Sequence, residues 1–172
     1  AFHQQAPVCY EGNKPEVLKK KFRDIESVQD FLTTHLPEYA QALSGQLATA
    51  DQFVGALGPY LQERHDAGMI RDCHGALHSK NIFLYNDPVI FDCIEFNEQF
   101  RHIDILNGMA FFCMDLEVNG AWQLSRHAYQ CYQAHFREGM PQDSRSEGLF
   151  RFFKAYRANV RGKVIALKLI NK

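Results

Sequence analysis

From residue 71 to residue 96 the chain reads RDCHGALHSKNIFLYNDPVIFDCIEF. The order has the rhythm of a phosphate-transfer site: a His-Gly turn at His74 and Gly75, Asn81 a few residues on, and Asp92 at the end of an apolar run. Where such chemistry wants a carboxylate, between Gly75 and Leu77, stands Ala76. A positioned base is worth about 10²–10⁴-fold in rate, and an alanine supplies none. Taken singly, the flanking residues have plainer readings, Asn81 as a turn residue and Asp92 as a strand-end cap. Cys73, His74, His78 and Cys93 match no common zinc spacing. The chain has 8 histidines, but no Gly-x-Ser-x-Gly elbow accompanies them. A metal-binding hydrolase would have to draw on His74, His78 and Asp92. His65, His127 and His135 read as surface or cap residues of helices.

The elements that must position these residues follow from periodicity. Val17, Leu18, Phe22, Ile25, Val28, Phe31 and Leu32 recur at helical spacing between Pro15 and Pro37. A second helical stretch runs from about Thr49 to Ala67, with Pro59 expected to kink or split it and Gly68 to stop it. Two β-prone runs, Asn81–Tyr85 and Val89–Asp92, flank Asn86-Asp87-Pro88 and predict a hairpin. His74 to Asn81 is then a loop leading into its first strand. Ile103 to Leu116 reads as a buried helix and Trp122 to Phe136 as another. Pro141 to Ser146 reads as a loop. A long helix from Leu149 to Leu169 should turn Phe152, Phe153, Tyr156, Val160, Val164 and Leu167 inward. Arg151, Lys154, Arg157, Arg161 and Lys168 would line its other side as a solvated face or an anion-binding stripe.

Composition bounds the alternatives. With 172 residues, 46% of them hydrophobic, a single domain over residues 1–172 can bury a real core. A formal net charge of −1 argues against a general nucleic-acid binder. No apolar run approaches membrane-spanning length and no signal pattern opens the chain, so neither a membrane nor a secretory route is expected. The 5 cysteines, an odd number without a CxxC pair, fit small reduced thiols in a cytoplasmic protein.

The stretch HGALHSKNIFLYNDPVIFDCIEF, followed by RHIDILNGMAF, resembles the C-terminal lobe of the aminoglycoside-phosphotransferase-like branch of the protein-kinase-like superfamily. That branch carries His-Gly-Asp-Leu-His-x-x-Asn, a strand ending in Asp, and a second Asp-containing stretch that opens a helix. FDCIEFN, MDLE, YRANVRGKV and the opening AFHQQAP are similar to bacterial proteins that fuse such a domain to a P-loop ATPase domain. The resemblance implies a mainly α (α+β) fold, a kinase-like C-terminal lobe with helices packed around one small β-hairpin. It implies Mg²⁺ and ATP as cofactors, a hydroxyl on a small molecule as acceptor, and Asn81 and Asp92 as the metal ligands, sharing a cleft. His74 becomes a packing and hydrogen-bonding residue. Arg101 and Asp104 become a polar pair bracing the segment after Asp92.

Three departures accompany the resemblance. Ala76 stands at the family's catalytic Asp. Gly108 stands where the family's following helix carries an Asp that braces the loop. No Gly-rich loop followed by a strand lysine occurs in the sequence, so the N-terminal lobe that would grip the nucleotide is absent from it. The expectation is a phosphotransferase-like lobe that is inactive as it stands and holds Mg²⁺ and ATP poorly. The alternative is a non-enzymatic, pseudokinase-like interaction module whose partner is the missing lobe on another chain or a second copy.

Overall fold

Proline placement divides the helical half of the chain. The computed structural model describes residues 2–10, 14–136 and 143–171. A single turn, α1 (Phe2–Gln5), precedes α2 (Pro15–Arg23), which starts on its proline. The expected helix between Pro15 and Pro37 is broken into α2, a 3₁₀ turn over Asp24–Val28, and α3 (Gln29–His35). Its apolar spacing survives the break, because Leu18, Phe22, Ile25, Val28 and Leu32 are all buried. Leu36, at φ −140° and ψ 60°, ends α3, and Pro37 opens α4 (Pro37–Ala56) in the first-turn position that needs no N–H. α4 therefore begins well before Thr49. Ala40, Leu43, Leu47, Ala50 and Val54 are its buried stripe, and its alanines are too weakly apolar to announce the first half in the sequence. Pro59 splits the second stretch as expected, with α5 (Gly58–Asp66) following. Gly68 ends it at φ 68°, a left-handed conformation that glycine takes without strain.

Two small antiparallel sheets follow rather than one hairpin. β1 (Ile70–Asp72) pairs with β4 (His102–Asp104), with Ile70 opposite Asp104. Between them, β2 (Ile82–Leu84) and β3 (Pro88–Ile90) form the expected hairpin, with Ile82 opposite Ile90. Three-residue strands carry too little alternation to be recognised, which is why β1 and β4 were not read from sequence. β4 also displaces the start of the next helix from Ile103: α6 runs from Ile105 to Val118, and the Asp104 carboxylate caps it by accepting from Leu106 N. α6 is buried over most of its length, between α7 (Trp122–His135) and α8 (Ser144–Ile170). Asp143 caps α8 by accepting from Ser146 N at 2.8 Å, so the expected loop over Pro141–Ser146 ends earlier, and its Pro141 and Gln142 lie outside the described residues. Phe152, Phe153 and Tyr156 face the core as expected, but Val164 and Leu167 are exposed. No described helix is long and apolar enough to cross a membrane.

The helical half meets the strands at a buried ion pair. Arg64 of α5 donates from Nε and Nη2 to the two carboxylate oxygens of Asp104 at 2.6 and 2.7 Å. Both residues are sealed from water. Burial alone would lower the Arg64 pKa, but Asp104 holds it above the ordinary arginine value. Replacing one member of such a pair strands the other charge. Asp104→Asn keeps an acceptor for Leu106 N, so its cost reports the lost charge. It should destabilise the fold by about 3–5 kcal/mol in urea unfolding at neutral pH. A loss below about 1 kcal/mol would show that the pair does not anchor the junction.

Candidate functional site

The loop from Cys73 to His78 must turn sharply while its backbone is partly buried, and contacts from the surrounding frame hold it. Gly75 sits at φ 80°, and a Cβ there would lie 3.0 Å from Phe100 O and 3.1 Å from Ile94 Cδ1, so the position requires glycine. His74 holds the loop to the far side of the hairpin. Ala76 N donates to His74 Nδ1 at 3.3 Å, which makes Nε2 the protonated nitrogen that donates to Phe91 O at 2.8 Å. Ile94 N donates to His74 O. At the end of the loop, Ser79 N and Oγ both donate to Asp115 Oδ2, within the MDLE segment of α6.

Asn81 and Asp92 come together. Asn81 is buried, and its Nδ2 donates to Ala76 O at 3.0 Å and to Asp92 O at 3.4 Å. Both amide hydrogens are thereby committed, and Oδ1 has no protein donor among the described residues. Asp92 has φ 60°, and among the described residues it is the one non-glycine in the left-handed region. Its carboxylate makes no hydrogen bond or ion pair among them. Sparsely populated backbone held by surrounding structure is a mark of functional positions. A carboxylate and an amide oxygen are hard donors of the kind Mg²⁺ takes, and Mg²⁺ commonly uses one or two protein ligands and completes its shell with water and phosphate. By donor type the two side chains suit that ion, while the contact between the residues runs from Asn81 Nδ2 to the Asp92 backbone carbonyl. No three His, Cys, Asp or Glu side chains converge as a fuller metal cage among the described residues. His74, His78 and Asp92 accordingly form no such group.

Arg157 is the site residue that sequence reasoning missed. Expected on the outer basic stripe of α8, it is instead buried. Its Nε donates to Asn107 Oδ1 at 2.6 Å and its Nη1 to Gly75 O at 3.0 Å, while the guanidinium lies 4.9 Å from the Phe111 ring centre. Burial pushes its pKa below the usual arginine value, yet an arginine remains cationic. The signal was present: Arg157 stands four residues after Phe153 and so shares its inward face. Asn107, the neighbour of Gly108, holds Arg157, and Arg157 in turn holds the loop carbonyl of Gly75. Gly108 itself backs onto His3, whose ring atoms lie 3.6–3.7 Å from where a Cβ would sit.

Arg101 and Asp104 do not pair with each other. Arg101 clasps Asp72 at 2.8 and 3.2 Å and donates to Ile94 O at 3.0 Å, so it does tether the chain after Asp92. Asp104 takes Arg64. A cavity of about 850 Å³ adjoins the loop, with walls that include Leu77, Ile82, Met109, Phe112, Tyr132 and Phe136. Around the hairpin, Phe83, Leu84, Tyr85, Val89 and Phe96 are exposed, Leu84 and Phe96 by more than four-fifths. The thiols divide: Cys73 and Cys113 are buried, whereas Cys93 and Cys131 are exposed.

No family model matches the chain, and no solved structure matches it. Three curated proteins, one from Mycobacterium bovis and two from strains of Mycobacterium tuberculosis, are similar to it, and each is named only as an uncharacterized protein. Each is 34% identical over 115 residues, a match covering 66% of this chain and 22% of the relative. The chain thus matches about a fifth of the length of these relatives.

His3 gives the site's surroundings a pH dependence. Burial above all, aided by Arg71, lowers its pKa from 6.5 to about 4. It shares a hydrogen bond through Nδ1 with Tyr132 Oη. Between those two pH values the unfolded chain carries a proton on this imidazole that the folded chain excludes. Stability from His3 is therefore complete above about pH 6.5 and falls towards pH 4, by up to roughly 3 kcal/mol. Urea unfolding across this range should show a shallower decline for His3→Gln than for the parent. Parallel declines would place the titration elsewhere.

Proposed function

We propose that the chain is the lower lobe of a kinase-like small-molecule phosphotransferase fold, catalytically silent as it stands. The observation that carries this reading is the pairing of Asn81 with Asp92: two uncommitted oxygen donors at one end of a tightly held loop whose position 76 is a methyl group. Asn81 Oδ1 and the Asp92 carboxylate would hold Mg²⁺, and that ion would supply charge neutralisation at nucleotide phosphates. His74, Arg157 and Asp115 hold the loop backbone in position. At Ala76 no group can take the proton of an acceptor hydroxyl. The apolar cavity beside Leu77 offers room for a small hydroxyl-bearing acceptor. Cytoplasmic residence, with reduced thiols, belongs to the same reading.

A second reading rests on the exposed hairpin. Phe83, Leu84, Tyr85, Val89 and Phe96 form the kind of apolar surface that usually meets a partner. On that reading the chain is a non-enzymatic interaction module, covered by an upper lobe on another chain or by a second copy. Thermal stabilisation by nucleotide favours the first reading. Concentration-dependent oligomerisation without it favours the second.

The chain should show no measurable ATP-dependent phosphotransfer, and Ala76→Asp alone should not restore it. The substitution returns a base, but a base acts only on a substrate already held in line. Nothing in the sequence matches the Gly-rich loop and lysine that would grip the phosphates from above. Isothermal titration of Mg·ATP into both proteins, followed by transfer assays with a panel of hydroxyl acceptors, tests this. Sub-millimolar Mg·ATP binding by the parent chain, or turnover by Ala76→Asp, would contradict it.

A further inference from the structure

The basic residues of α8 have different fates. Arg151 pairs with Glu147, Lys154 with Glu117 and Lys163 with Asp24. Arg157 is committed to Gly75 and Asn107. Arg161 is half-buried and makes no ion pair or hydrogen bond among the described residues. It lies one turn beyond Arg157 and therefore on the same face of the helix. That face reaches Phe111, over which the Arg157 guanidinium sits. His78 meets the same ring edge to face, with centroids 5.4 Å apart. Its Nδ1 is buried without a partner, a state that native folds rarely leave unexplained. The charged groups acting on this imidazole are Arg161 from α8, Lys80 and His74 from the loop region, and Asp115 from α6. The one carboxylate among them, Asp115, already accepts two hydrogen bonds from Ser79. Lys80 is exposed and makes no ion pair among the described residues. The corner thus combines a cationic excess with an unpartnered ring nitrogen.

We infer that His78, Lys80 and Arg161 form a binding site for a phosphate group, either free in solution or carried on a small phosphomonoester. Arg161 contributes a planar fork of N–H donors that matches phosphate oxygens, and Lys80 a mobile point charge. His78 contributes Nδ1 as a donor. The site needs neither Mg²⁺ nor nucleotide.

The test is a titration of the isotopically labelled chain with inorganic phosphate near neutral pH, at ionic strength held constant with sodium chloride, followed by NMR. The Arg161 Nε–Hε and His78 ring resonances should shift saturably. Arg161→Gln should weaken binding tenfold or more, while Arg151→Gln, at a surface pair on the same helix, should leave it unchanged. A parallel titration with glycerol 2-phosphate separates the sources: tighter binding than phosphate assigns a carried group, equal binding a free one. Linear, unsaturable shifts, or equal weakening by Arg151→Gln, would overturn the inference as general charge attraction. Shifts that appear only with Mg·ATP would overturn it by assigning the residues to the metal site. The wild-type Arg161 resonance reads the outcome even if Arg161→Gln fails to fold. Failure of Mg·ATP to bind would leave this result untouched.

Discussion

A guanidinium buried without a carboxylate is the constraint on which the centre of this protein depends. Arg157 cannot lose its charge, and burial removes most of the water that would stabilise it. The compensation comes from the carbonyl of Gly75, the amide oxygen of Asn107 and the faces of Phe111 and Tyr156. The same contacts fix the loop. Gly75 must present its carbonyl inward, which requires the left-handed backbone that the closeness of Phe100 and Ile94 reserves for glycine. α8, α6 and the loop are thereby tied at one point. The residues that follow, from Ala76 to Asn81, inherit their positions from it and from the Ser79–Asp115 contacts.

Much of this was legible in the sequence, and what was not has physical reasons. The hairpin, the loop before it, the split at Pro59 and the burial of α6 follow from strong local signals: proline geometry, a turn tripeptide and a strongly apolar stretch. The order of Asn81 and Asp92 placed both residues at the hairpin, where the contact between them is made by the Asp92 backbone carbonyl. The first half of α4 was not, because alanine marks a buried stripe only weakly. β1 and β4 were not, because each is three residues long and is defined by a partner thirty or so positions away. Arg157 was read by charge rather than by spacing, and charge is the wrong guide where buried acceptors are waiting. The pairing of Arg101 with Asp72 and of Asp104 with Arg64 depends on which strands adjoin, a long-range fact that no local pattern carries.

The loop therefore combines two features that pull against each other. Its frame is well built: a histidine strut, a buried arginine, a capped turn and a strained aspartate all converge within it. Its centre is a methyl group. A frame of this kind has use beyond chemistry, since it also fixes the exposed hairpin and the cationic corner around His78. A methyl group at position 76 does not loosen such a structure, because Ala76 is held through its backbone alone.

The most direct measurement of the central claim is paramagnetic broadening by Mn²⁺, which substitutes for Mg²⁺ at oxygen-donor sites. Millimolar Mn²⁺ added to the labelled chain should broaden the amide resonances of Ala76, Asn81, Asp92 and Cys93 before any others. Asp92→Asn should remove that selectivity. Broadening centred instead on Asp87, Glu95 or Glu98, with Asn81 and Asp92 untouched, would contradict the account.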